Sequence, residues 1–127
     1  MENYIEEGRM RKVTIFGFIL LLFIGCETST DSQSKRYSVR YEVTGTAKTV
    51  FITIENDTGG TSQYADVSIP WTYNFRTRKE EGTFVYVSAQ NQGETGSVTA
   101  SIYRDEVLFK TSTSSGSYVI ATASGSL

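Results

Sequence analysis

The chain has 127 residues, enough for one domain, and a formal charge of −2 spread over interspersed acids and bases. Such a balance gives no concentrated basic face of the kind a nucleic-acid binder needs. With no histidine and a single cysteine, histidine-dependent nucleophilic triads and internal disulfides are excluded, and nitrogen–sulfur zinc sites are nearly so.

The first organised stretch runs from Arg11 to Cys26. Arg11 and Lys12 precede an apolar run, Val13 to Ile24, of 12 residues. A membrane-spanning helix needs about 20, whereas runs of this length behind basic residues are export-signal cores. Three acids stand among the first nine residues, so Met10-Arg-Lys makes the better signal start, and Met10 is the expected initiator. The run ends in Leu22-Phe23-Ile24-Gly25-Cys26, which resembles the bacterial lipobox. Ile24, Gly25 and Cys26 match that pattern; Phe23 replaces the usual leucine. The resemblance implies cleavage before Cys26, diacylation of its sulfur and acylation of the new amine. Each buried methylene adds about 0.8 kcal/mol, so several chains anchor where one would hold marginally. A plain signal peptide, or a short uncleaved anchor, is the alternative; the lipobox is preferred because the chain's one cysteine falls on it. Glu27 to Lys35 contains no apolar residue and is expected to be a flexible spacer. The expected organisation is therefore a signal peptide over 1–25, a tether over 26–35 and a folded domain over 36–127.

From Arg36 onward the pattern predicts short strands. Tyr37, Val39, Tyr41 and Val43 alternate with polar residues, and Val50, Ile52 and Ile54 form the next inward face. Asn56-Asp-Thr-Gly-Gly60 predicts a turn. Ala65, Val67 and Ile69 continue, and Pro70 marks an edge, a bend or a switch between sheets. Trp71, Tyr73 and Phe75 follow at period two, then a charged loop from Arg76 to Glu81. Phe84 to Val87 carries bulky residues on both faces, which predicts a central strand. Gln90 to Gly96 reads as a turn, Val98 to Tyr103 as a strand, and Arg104-Asp105-Glu106 as a tight hairpin leading into Val107-Leu108-Phe109. Ser112 to Ser117 reads as a break before a last strand over Tyr118 to Ala123. Seven or eight short strands at regular spacing predict an all-β, antiparallel β-sandwich of immunoglobulin-like size.

Four stretches carry a family likeness: Val39-Arg-Tyr-Glu-Val-Thr-Gly45, Val67-Ser-Ile-Pro-Trp71, Val87-Ser-Ala-Gln-Asn91 with Gly93, and Val98-Thr-Ala-Ser-Ile-Tyr-Arg-Asp105. In order and spacing they resemble the small membrane proteins of the MmpS type. The resemblance implies an exported β-sandwich tethered by one N-terminal membrane element, acting as an accessory to an RND-type transporter. A lipobox-like signal here replaces that family's usual transmembrane helix, and its cysteine pair is missing.

Candidate sites are few. The serines Ser62, Ser68, Ser88 and Ser112 to Ser117 lack a histidine base and would need Lys48, Lys79 or Lys110 desolvated beside them. Asp57, Asp66, Glu80, Glu81, Asp105 and Glu106 are read as turn formers and surface charges, without the spacing of a calcium loop. Arg76, Arg78 and Lys79 beside the two glutamates are read as a solvated loop. Trp71, Tyr73 and Phe75 are assigned to the core in preference to an aromatic platform for a sugar or a lipid. Tyr64, Tyr86 and Tyr103, with Phe84, are possible contact residues if the fold gathers them on one surface. Neither a metal nor a cofactor is expected. The sequence points to a noncatalytic lipoprotein of the bacterial cell envelope, facing periplasm or exterior, attached to the membrane through Cys26 and serving as an adaptor. A glycan- or ligand-binding module is the alternative.

Overall fold

The computed structural model describes residues 36–77 and 82–127. The leader, Cys26 and the tether lie outside the described residues, as do Arg78, Lys79, Glu80 and Glu81 of the charged loop.

Eight strands follow in order: β1 (Ser38–Gly45), β2 (Val50–Glu55), β3 (Thr61–Val67), β4 (Trp71–Arg76), β5 (Phe84–Asn91), β6 (Ser97–Arg104), β7 (Val107–Ser115) and β8 (Ile120–Ser126). They form two four-stranded sheets, ordered β4-β1-β6-β7 and β3-β2-β5-β8. Every pairing is antiparallel. The expected antiparallel sandwich is present, with its own strand order. An immunoglobulin constant-type domain groups strands A, B, E and D against C, F and G. Here the central pairs are β1 with β6 and β2 with β5, so the likeness is one of size and layering.

Period-two alternation sets the two inner faces. Val39, Tyr41 and Val43 of β1 and Val98, Ala100 and Ile102 of β6 are fully buried on one side. Val50, Ile52 and Ile54 of β2 and Val85, Val87 and Ala89 of β5 oppose them, also fully buried. The inner faces of the outer strands differ in size. On β4, Trp71, Tyr73 and Phe75 project inward and, with Tyr64 of β3, pack half-buried against the core. On β8 the inward residues are Ala121, Ala123 and Gly125, and a Cβ at Gly125 would meet Lys110 and Phe109 at 3.1 Å. Small side chains thus let β7 and β8 close one flank, while aromatic rings fill the other.

Tyr41 joins the layers. Its ring lies 6.1 Å from that of Tyr73 and 5.4 Å, edge-on, from that of Phe75. Its hydroxyl crosses to the opposite sheet, donating to the Glu55 carbonyl at 2.8 Å and accepting from the Tyr86 amide at 3.3 Å. Asn91, fully buried, ties two connections together. Its amide nitrogen donates to the carbonyls of Thr95 and Gly116, both at 2.9 Å, and its side-chain oxygen accepts from the Gly93 amide at 2.9 Å.

Several boundaries differ from the sequence-based expectation. β5 runs on through Gln90 and Asn91, because the tertiary bonds just named satisfy the Asn91 side chain inside. β7 continues through Ser112 to Ser115, within the expected break, because hydroxyls pair across it: Thr99 with Thr113 at 2.8 Å and Ser101 with Thr111 at 2.9 Å. β3 begins at Thr61, earlier than the apolar pattern suggests, and β8 begins at Ile120, leaving Tyr118 in the preceding turn at φ 53°. Pro70 stands where the chain passes from β3 in one sheet to β4 in the other. Gly45 cannot be replaced without movement: at φ +136°, a Cβ would stand 2.2 Å from the Ser97 carbonyl oxygen.

Burial pushes the Tyr41 phenol above its ordinary value, opposed in part by the Tyr86 amide that donates to it. The folded chain therefore holds this proton more tightly than the unfolded chain. Stability from this group is complete below the unfolded tyrosine value of about 10 and falls as pH rises past it toward the folded value. Tyr41→Phe is expected to lower stability by about 1–2 kcal/mol at neutral pH. It should also make the alkaline decline shallower. Urea denaturation of both proteins across neutral to strongly alkaline pH checks both outcomes.

Candidate functional site

The strands put two sets of connections at opposite ends of the sandwich. One end carries the start of β1, the β2–β3 turn, the β4–β5 connection, the β6–β7 hairpin and the C-terminus. Its parts are joined by hydrogen bonds. The Thr77 amide donates to the Tyr37 carbonyl at 2.9 Å, and the Thr77 hydroxyl accepts from the Tyr37 amide at 2.9 Å. On the other side of β1, the Asp105 amide donates to the Ser38 carbonyl at 2.7 Å, and the Ser38 amide donates to the Asp105 carboxylate at 2.9 Å. The start of β1 is therefore held between the end of β4 and the β6–β7 hairpin.

At this end a cleft of about 320 Å³ opens between the β2–β3 turn and the strand ends around Phe75 and Phe84. Its turn wall is pre-set by Asn56. The Asn56 oxygen accepts from the Thr58 amide at 3.0 Å, the Thr58 hydroxyl at 2.7 Å and the Gly60 amide at 3.0 Å. Its nitrogen donates to the Ser62 hydroxyl at 2.9 Å. A side chain occupied in this way fixes the wall and has little left for a ligand. Asp57, next along, accepts from the Tyr73 hydroxyl at 3.2 Å. Burial and this bond to a carboxylate both raise the Tyr73 phenol, burial more. The Thr83 hydroxyl oxygen is buried in the wall without a hydrogen-bond partner among the described residues. Aromatic faces, a carboxylate and hydroxyls are the groups that hold a hydroxylated ligand such as a sugar. Among the described residues no cluster of three metal-ligating side chains occurs.

The three tyrosines singled out from sequence are not brought together. Tyr64 faces the interior, with its ring 5.3 Å from that of Trp71. Tyr86 and Tyr103 lie half-buried on the outer faces of different sheets. Tyr86 stacks with Phe84 at 6.3 Å, and the Arg40 guanidinium sits 4.2 Å over the Tyr103 ring. Alternation reports which face of a strand a residue occupies, but not which sheet the strand joins. Trp71, Tyr73 and Phe75 form an inward ladder, each ring within 6.3 Å of the next.

Three of the candidate serines have structural partners. The Ser62 hydroxyl accepts from Asn56, that of Ser88 accepts from the Thr122 hydroxyl at 3.2 Å, and that of Ser114 donates to the Ile120 carbonyl at 2.7 Å. Asp105 and Glu106 form the two-residue tip of the β6–β7 hairpin, both at positive φ, and Glu106 pairs with Arg40. The pairing raises Arg40 above its ordinary value.

Sequence reasoning missed two features. Thr83 lines the cleft beside Phe84, itself a possible contact residue by sequence, because the chain from Gly82 to Phe84 runs beside the β2–β3 turn, which no local pattern signals. Val107 and Leu108, in the strand that resumes after the hairpin, are both exposed. Their place directly after the Asp-Glu hairpin tip was the available signal. No known family model and no curated protein sequence matches the chain.

The Thr83 hydroxyl, without a partner among the described residues, yields a simple expectation. Thr83→Val removes it at nearly constant volume and should raise stability by about 1 kcal/mol, because a buried polar group without a partner costs about that much. Urea denaturation measures the change. A loss of stability would show that the hydroxyl has a partner in solution.

Proposed function

We propose that the chain is a noncatalytic lipoprotein of the bacterial cell envelope, its sandwich acting as an accessory or adaptor domain for another envelope protein. The observation that carries this reading is the position of the one cysteine. Cys26 stands at the end of a 12-residue apolar run preceded by Arg11-Lys12, in the sequence Phe23-Ile24-Gly25-Cys26. A thioether-linked diacylglycerol there, with an acylated amine, supplies the several fatty chains that stable anchoring requires. The likeness of the strand sequences to MmpS-type proteins suggests an RND-type transporter as the partner. Metabolic labelling with palmitate is expected to mark the wild type and not Cys26→Ala, and the variant should leave the membrane fraction. Unchanged labelling would defeat the anchor.

The cleft favours a second reading, a glycan- or ligand-binding module. Phe75 and Phe84 offer apolar faces there, and Asp57 a carboxylate with one oxygen engaged by Tyr73. A glycan array probed with the purified protein distinguishes the two. Binding to one sugar class that Asp57→Ala abolishes would favour the module, and a blank array would favour the adaptor.

A further inference from the structure

The end of the sandwich where β1 begins also carries exposed apolar side chains. Phe84, Val107 and Leu108 are 49%, 68% and 50% exposed. Val107 and Leu108 follow the tight Asp105–Glu106 tip, and Asp105 is bonded to Ser38 in both directions. The exposed pair is thus one strand away from the point where the chain arrives. A register shift after Ile102 leaves Phe109 as an extra residue in β7. Phe109 and Lys110 both reach Gly125, while Leu108, opposite Tyr103, stays in solvent.

The cations collect at the same end. Arg36, Arg76, Arg104 and Lys110 lie in this half, whereas the far end carries Lys48 against Asp66 and Glu94. The Arg104 guanidinium sits 5.1 Å from the Tyr37 ring and 5.5 Å from that of Phe109, held beside the hairpin. Of the described acids at this end, Asp105 accepts from the Ser38 amide, Glu106 pairs with Arg40 and Asp57 accepts from the Tyr73 hydroxyl, while Glu55 lines the cleft beside them. The far end also exposes Tyr118 and Ile120. It stands the length of β1, eight residues, farther from Arg36, about 26 Å at the usual rise per residue.

Chain length decides which end meets the lipid. Nine residues, Glu27 to Lys35, stand between Cys26 and Arg36. For a random coil, the ten Cα–Cα steps from Cys26 to Arg36 correspond to a root-mean-square span of about 16–19 Å, less than the length of β1. We propose that this end of the sandwich docks on the bilayer that holds the anchor. Val107 and Leu108 enter the boundary between headgroups and acyl chains, with the surrounding arginines against lipid phosphates. The proposal rests on the lipid-anchor reading of Cys26.

The test uses the full lipidated chain reconstituted in phosphatidylethanolamine–phosphatidylglycerol vesicles, with a nitroxide at Leu108→Cys or, at the far end, Lys48→Cys. Both positions are exposed, and acylation of Cys26 leaves the introduced thiol as the one that reacts. Power saturation with oxygen and a water-soluble nickel chelate reads depth. The label at 108 is expected about 5–10 Å inside the headgroup boundary, and the label at 48 in water. Vesicle-bound protein with both labels in water would overturn the docking alone, as would a label at 108 shielded from both reagents, which would report contact between copies. Protein that fails to float with the vesicles would refute the anchor and the docking together.

Discussion

One hydroxyl group joins the two layers of this domain. Tyr41 rises from the centre of one sheet, and its oxygen bonds to backbone groups of two strands in the other. The domain has no disulfide to set how the sheets face one another, since the chain's one cysteine lies outside it. Apolar burial is non-directional and tolerates sliding. A buried polar atom is less forgiving, because a shift of either sheet would leave it and its partners unsatisfied. The aromatic ladder of β4 packs directly on the Tyr41 ring, and Tyr73 passes the constraint to Asp57 at the mouth of the cleft.

Around that point the sandwich is closed differently on its two flanks. The β3 and β4 edges belong to separate sheets, and the rings of Tyr64, Trp71, Tyr73 and Phe75 fill the space between them. On the other flank, alanine and glycine on β8 admit β7 closely, with Phe109 and Lys110 folded over Gly125. Each end is then secured by polar side chains bonded to backbone. Asn91 serves the far end, while Thr77 and Asp105 hold the start of β1. Because both ends are pinned, the cleft wall and the exposed hairpin keep fixed positions relative to the start of β1.

Most of the fold was legible because its strands are half-buried and alternate strictly. The inward faces of β1, β2 and β6 are those the sequence pattern names, and the bulky Phe84–Val87 segment lies in an inner strand as expected. At Pro70 a switch between sheets was one of three readings, with an edge and a bend, and it is the one found. Legibility failed where long-range bonds override local polarity. Asn91 belongs to a turn by composition and to the core by its three partners. The serines of β7 read as a break, yet cross-strand hydroxyl pairs carry the ladder through them. Neither the cleft nor the exposed hairpin flank was visible, since both depend on which connections the topology gathers at one end.

The central position of β1 has a mechanical consequence. This strand is the first of the domain and is paired on both sides, to β4 and to β6, along nearly its whole length. Tension between the start of β1 and a load on the opposite pole of the domain runs parallel to the strand. Both ladders are then loaded in shear, so that their hydrogen bonds share the strain instead of parting one by one as at a peeled edge.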